Sequence, residues 1–291
     1  MPLLRDPLEI SSNSQNQLTR LRFDRAIRRR QNNCCGEVML VSKTVAARQK
    51  LRGWLLLVSL ALFPVTMSYF SPYIIIDSSA HGIINGSFVL FGLLGISSVI
   101  LGRAWCGWLC PAGAIGDRWR AVTDRRTRGG WWKILKWVIW LPWIGLIAFL
   151  AVRGGGYHTV NILRFTWHGI SVASLEMIVM FVGVVGIISI LSLTTGRRGF
   201  CHYSCWMAPF MILGMRLQRI LGLPGLHLES HAESCIHCGL CTKGCPMSLD
   251  VHEMVQEERI ESSDCILCGT CVDTCPKQVI DYAWLRRHKR A

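Results

Sequence analysis

Two stretches of this chain carry the same pattern. Residues 235–246 read C-I-H-C-G-L-C-T-K-G-C-P, and residues 265–276 read C-I-L-C-G-T-C-V-D-T-C-P. Both are C-x2-C-x2-C-x3-C-P. Two-residue gaps let a tight loop turn three sulfurs toward one centre. The fourth Cys, followed by Pro, leaves the loop and reaches the neighbouring centre. The spacing therefore predicts two 4Fe–4S clusters. Cluster I takes Cys235, Cys238, Cys241 and Cys275; cluster II takes Cys265, Cys268, Cys271 and Cys245. Gly239 and Gly269 stand where backbone must pass close to sulfide. Zinc ribbons use isolated C-x2-C pairs, and a disulfide framework has no reason to repeat this spacing.

A domain built on those loops is small, and a core of that size is marginal unaided. Bound clusters must supply much of its stability, as metals do in other small domains. Ile236, Leu240, Ile266, Leu267 and Val272 flank the cysteines and predict an apolar shell around the sulfurs. Residues 247–264, between the motifs, predict a short helix and return. Cluster ligation also places this part of the chain in a reducing compartment.

The rest of the chain is apolar. Hydrophobic residues make up 51% and mean hydropathy is +0.34, which implies that part of the chain lies in lipid. Four segments, about 54–76, 83–102, 131–152 and 170–195, are long enough to cross a bilayer core. Pro64 interrupts the first and predicts a kink. Trp54 and Trp131-Trp132 open the first and third, where indoles suit the lipid–water interface.

The net charge of +14 is unevenly spread. Residues 1–53 hold 11 Lys/Arg and 4 Asp/Glu, whereas 231–281 hold 3 and 9. No zinc finger or aromatic–basic stacking pattern points to nucleic acid as a partner. Arg103, Arg118, Arg120, Arg125, Arg126 and Arg128 crowd the loop after the second segment, and Arg197 and Arg198 follow the fourth. The positive-inside rule then puts both termini and the cluster domain in the cytoplasm, on a multi-pass path through the inner membrane. No secretory signal precedes the first segment. Cys34 and Cys35 read as free cytosolic thiols, with acylation as the alternative.

The apolar part repeats itself. L-G-R-A-W-C-G-W-L-C-P (101–111) closes segment two, and T-G-R-R-G-F-C-H-Y-S-C-W-M-A-P (195–209) closes segment four. The fold expected is an α-helical membrane protein of four transmembrane helices, in two repeated hairpins, joined to a C-terminal α+β two-cluster ferredoxin domain. Each hairpin ends in a C-x3-C pair: Cys106 with Cys110, and Cys201 with Cys205. The pairs read as converging redox thiols, metal ligands, contacts to a partner's cofactor, or inert buried thiols. The expected domains are a basic region (1–53), the helical domain (54–208), an amphipathic interfacial helix and linker (209–230), and the ferredoxin domain with a basic tail (231–291). In the third, Leu213, Leu217, Ile220 and Leu221 form the apolar face.

These features together resemble the NapH/NosR/MauN group of polytopic ferredoxin-type membrane proteins. The resemblance rests on C-G-W-L-C-P (106–111), the Cys pair 201–205, the four apolar segments and the two ferredoxin motifs. It covers roughly residues 50–285. One departure stands out: Trp206, Met207 and Ala208 separate Cys205 from Pro209, where the family commonly has C-x3-C-P. The resemblance implies the membrane component of a quinol dehydrogenase, moving electrons between the quinone pool and a partner redox protein.

No span carries a central His, so no b-type haem is expected. His81, His158 and His168 fall in the outer links as solvated histidines or proton acceptors from quinol, and Glu176 lies near the outer end of the fourth span. No nucleophile–base pair is evident, so no catalytic residue is assigned. The alternative function is a maturation or regulatory protein supporting cofactor assembly of another enzyme.

Overall fold

The computed structural model describes residues 42–285 apart from 128, 168 and 173. The basic run 22–30, Cys34, Cys35, Arg128, His168 and residues 286–290 of the basic tail lie outside the described residues.

The described residues open with helix α1 (Ser42–Ala61) and continue through the short helix α2 (Phe63–Thr66) into a 3-10 turn, Met67–Phe70. The axis bends by 56° between Ala47–Ala61 and Phe63–Phe70. Pro64 sits in the first turn of α2, where its missing N–H and fixed φ start a new helix instead of continuing the old one. Helix α3 (Pro72–Ala80) and strand β1 (Ile83–Asn85) follow.

Helix α4 (Gly86–Leu101) is 16 residues long, about 24 Å at 1.5 Å per residue. It is shorter than the segment 83–102 that hydropathy marks. Ile83–Asn85 pair in parallel with strand β2 (Thr159–Asn161), and the Asn85 side chain then caps the helix by accepting from Phe88 N at 2.9 Å. Gly102, at φ 56°, ends it. Helix α7 (Leu135–Arg153), with its 3-10 lead-in from Trp131, and helix α8 (Leu175–Thr195) are long and apolar enough to cross a membrane. The bent pair at the N-terminus passes the same test only if counted as one span. These helices turn bare apolar side chains outward, such as Val152, Leu175 and Val182, in the manner of a lipid-facing surface.

After α4 and again after α8 the chain makes comparable local moves. A glycine of positive φ stops the apolar helix, Gly102 at 56° and Gly196 at 102°. A five-residue helix follows, α5 (Ala104–Trp108) or α9 (Gly199–Tyr203), and then a longer one opening with Pro in its first turn, α6 (Pro111–Trp119) or α10 (Ala208–Leu221). Helix α10 packs on α4, where Gly214 leaves no space for a Cβ against Ser98 and Gly95. Its opposite face, with Leu213, Leu217, Ile220 and Leu221, is exposed.

The C-terminal domain closes with an antiparallel pair, β3 (Gly225–Ser230) and β4 (Ile280–Leu285), which holds both ends of the cysteine loops together. Strand β3 takes in the last six residues of the stretch read from sequence as linker. Between the strands lie helices α11 (Leu240–Gly244), α12 (Val251–Gln256) and α13 (Thr270–Asp273). One apolar core runs from Phe91 and Met211 among the helices to Ile266, Val272 and Ile280 in this domain.

Candidate metal centre

The two ferredoxin motifs fold alike. His237 and Leu267, just before the second Cys of each loop, have φ of 56° and 49°; Gly239 and Gly269, just after it, have 69° and 73°; Ser248 and Gln278 have 53° and 49°. Each left-handed residue recurs 30 positions later, as Cys265 follows Cys235. Consecutive residues alternating about the second Cys curl the loop so that its sulfurs face inward. A short helix, α11 or α13, then carries the third Cys.

Burial and neighbouring thiols raise several of these cysteines. Burial is the largest effect on Cys241, pushing its pKa up to about 11, with Cys238 and Cys275 adding to it. Burial likewise pushes Cys265 up to about 12, with Cys268 and Cys245 contributing. Cys271 is raised well above a normal thiol by burial, then by Cys268, Cys265 and Cys245. Cys245, from the first motif, lines one small cavity with Cys265, Cys268 and Cys271 of the second, and Cys275, from the second, acts on Cys241 of the first. His237 and His252 stand next to Cys235, with all three ligand atoms within 4.8 Å of one another.

The C-x3-C pairs come together as well. Cys106, Cys110, Cys201 and Cys205 are all buried and unbridged. Cys110 is raised by burial and then by Cys106, Cys201 and Cys205. Burial pushes Cys201 up to about 12, with Cys205 and Cys106 adding to it. Pro111 does what its position predicts: Cys110 is extended, at φ −76° and ψ 121°, and precedes α6 instead of sitting in a helix with Cys106. His202, beside Cys201, is buried, and burial lowers its pKa to about 4, so its ring is neutral at ordinary pH.

Arginines near these cysteines tie the helical part to the ferredoxin domain. Arg198 is buried and grips Asp117 through Nε and Nη2 at 2.6 and 2.8 Å, while Nη1 donates to the Cys106 carbonyl at 2.8 Å. Arg52 also pairs with Asp117. Arg103 donates to the Ser263 carbonyl at 2.9 Å and lies 3.5 Å from Asp264, which also receives Lys136 at 2.8 Å and Lys133 at 2.9 Å. Arg197 pairs with Asp124 at 2.6 Å and donates to the Cys245 carbonyl at 3.1 Å. Trp108 Nε1 and the Tyr282 hydroxyl both donate to the Leu267 carbonyl, at 3.0 and 2.9 Å. Gly107 presses on the second loop so closely that a Cβ there would run into the Ile266 carbonyl oxygen. The first C-x3-C turn therefore abuts the loop that carries Cys265 and Cys268.

None of these docking contacts was read from the sequence, which took the arginines as topology signals. The available clue was that G-R precedes the first Cys of both pairs.

In the links 77–82 and 153–169 the polar residues bond among themselves. Asp77 pairs with Arg164 at 2.9 Å, and His81 Nδ1 bonds the Asp77 carbonyl at 2.8 Å. His158 Nδ1 bonds the Gly156 carbonyl at 3.2 Å. Glu176 is exposed in the first turn of α8.

Comparison with known proteins agrees with this geometry. Residues 227–279 match a 4Fe–4S dicluster domain, and residues 84–128 and 176–224 match a 4Fe–4S binding domain. The second match spans both C-x3-C pairs. The chain is 25% identical over 184 residues to "Putative electron transport protein YccM" of Escherichia coli K12, covering 57% of this chain and 47% of that protein. It is 26% identical over 204 residues to protein RdxA of Cereibacter sphaeroides, covering 58% and 41%. The matched stretches thus span less than half of either relative. No solved structure matches.

Proposed function

We propose that this chain is a membrane-anchored iron–sulfur protein of the NapH/NosR/MauN type, passing electrons between the quinone pool and a partner redox enzyme. The apolar segments form four spans in two repeated hairpins, with both termini and the ferredoxin domain on the cytoplasmic side of the inner membrane. Cys235, Cys238, Cys241 and Cys275 hold cluster I; Cys265, Cys268, Cys271 and Cys245 hold cluster II.

What supports this reading is that Cys245, from the first motif, lines one small cavity with Cys265, Cys268 and Cys271 of the second. It is what two adjacent clusters require and what a pair of separate single-ion sites does not. Each 4Fe–4S cluster supplies a one-electron couple. The chain's own residues set the environment: Ile266, Val272 and Ile280 exclude water, and burial of the thiols tunes the site. Helices α7 and α8 reach from the apolar surface to the turns packed on the second loop, so lipid and cluster II are joined by contiguous protein.

The test uses full-length protein, purified anaerobically and reconstituted in lipid. Addition of a quinol analogue should reduce the clusters, read as loss of their visible absorption and appearance of a paramagnetic signal. Failure of quinol to reduce them while dithionite does would count against quinone coupling and favour the assembly-factor alternative.

A further inference from the structure

Resting on the iron–sulfur reading, we propose that Arg48 and Gln49 of α1, acting through Asp273, set the reduction potential of cluster II. They are positioning residues: they hold the loop that carries its ligands. Both lie outside the stretches that match iron–sulfur domains.

Helix α1 reaches this loop across more than two hundred residues of sequence, and α13 packs on it. Gln49 Nε2 donates to the Cys268 carbonyl at 3.1 Å and to Asp273 Oδ2 at 2.5 Å. One side-chain amide carries two N–H donors, so both bonds are compatible. Arg48 Nη2 lies 2.6 Å from Asp273 Oδ1. Both carboxylate oxygens therefore face α1. The Arg48 guanidinium also stands 5.4 Å from the centre of the Tyr282 ring, whose hydroxyl bonds the Leu267 carbonyl at 2.9 Å. A turn further on, Arg52 Nε donates to the Gly107 carbonyl at 2.8 Å. Asp273 follows Cys271 by two residues on α13, and Cys268 and Cys271 are both assigned to cluster II.

An electron added to a cluster is a negative charge added beside these groups. A nearby cation favours the reduced form and a nearby anion opposes it. The Asp273 side chain is 1% exposed and that of Arg48 38%. The buried carboxylate is thus poorly screened by water, and Arg48 is what offsets it. Gln49 acts without charge. Its bond to the Cys268 carbonyl strengthens the N–H of the same peptide, which belongs to Gly269. A stronger N–H dipole between Cys268 and Cys271 favours the extra electron, because dipoles and hydrogen bonds around the sulfurs help set the potential.

The test is a redox titration of cluster-loaded, anaerobically purified full-length protein, with EPR following each ferredoxin signal. The cluster II signal is the one that Cys268→Ser or Cys271→Ser alters. Low salt keeps the half-exposed Arg48 least screened. Arg48→Gln should shift the cluster II potential down, and Asp273→Asn should shift it up. The two changes together should bring it back toward wild type. Opposite signs separate charge from structure, since a loosened loop would move both single variants the same way. Gln49→Leu should also lower the potential. Iron content equal to wild type shows that a variant is loaded. Should Asp273→Asn lose its iron, a ladder at Arg48 decides: Lys near wild type, Gln lower, Glu lower still. Potentials unmoved by Arg48→Gln and Gln49→Leu, shifts of one sign in Arg48→Gln and Asp273→Asn, or a flat ladder would overturn the proposal and leave the two-cluster reading standing. Iron-free wild type would sink both.

Discussion

Replacing Asp264 by asparagine should unseat the ferredoxin domain from the helices at a cost of about 3–5 kcal/mol. Asp264 is 3% exposed, immediately before Cys265, and takes Lys136 at 2.8 Å, Lys133 at 2.9 Å and Arg103 at 3.5 Å. Burial works to raise its carboxyl pKa, but Lys136 and Arg103 outweigh that and hold it well below the usual carboxylate range. The asparagine keeps the shape and removes the charge, which leaves Arg103 and Lys136 buried with nothing to neutralise them. Loss on removing one partner of a buried pair is large for that reason, whatever the pair itself contributes. The measurement is urea unfolding of the loaded protein in detergent, with retention of cluster absorbance as a second readout. Lys136→Met in the Asp264→Asn background should recover part of the loss, because the two sites share one interaction. The pH dependence has a definite sign. A depressed carboxyl pKa contributes stability that is complete above the unfolded value, about 3.9, and drains away as pH falls through the lower folded one. The Asp264→Asn variant should lack that acid limb. A cost below about 1 kcal/mol would show that Lys136, Lys133 and Arg103 are solvated in the protein.

What the sequence discloses follows from how local its signals are. Ligand spacing is local, so the ferredoxin loops were legible, but the left-handed backbone at His237 and Leu267 was not, because neither residue type asks for it. Pro64 was legible too, because proline acts on its own backbone. Helix length was less so. The apolar stretch 83–102 has the composition of a span, yet Ile83–Asn85 pair with Thr159–Asn161 and the helix begins only at Gly86. That strand partner lies over seventy residues away, and hydropathy carries no trace of it. The arginines are the sharpest case. Arg103, Arg197 and Arg198 count as loop charges in a topology argument, yet all three are buried and bond to Asp264, Asp124 and Asp117. Charge type is written in the sequence, but its partner is chosen by tertiary packing. Convergence of the two C-x3-C pairs was open for the same reason.

Arg198→Met should separate the two C-x3-C segments and cost about 3–5 kcal/mol, because the half-buried Asp117 loses two charge-assisted bonds and the Cys106 carbonyl a third, leaving Arg52 as the carboxylate's partner. Arg198 is 1% exposed at φ 49°, a left-handed backbone that disfavours any side chain but glycine's. A glycine would relieve that strain and abolish the contact, so the conformation is held by what the guanidinium does. It joins Asp117 on α6, the Cys106 carbonyl on α5 and its own segment ahead of Cys201. Two glycines make room for it: a Cβ at Gly113 would lie 3.0 Å from Nη1, and one at Gly116 would lie 3.1 Å from Cγ. Arg198→Lys separates charge from geometry. Lysine keeps the positive charge but has no planar fork, so it can satisfy Asp117 or the Cys106 carbonyl and not both. Losing a charge-assisted bond in that way should cost about 1.5–3 kcal/mol. In the methionine variant the Asp117 carboxyl, now held down by Arg52 alone, should titrate higher than in wild type, moving acid unfolding to higher pH. Equal stability of the lysine variant and wild type would mean that charge alone holds the two segments, and the bidentate contact would lose its role.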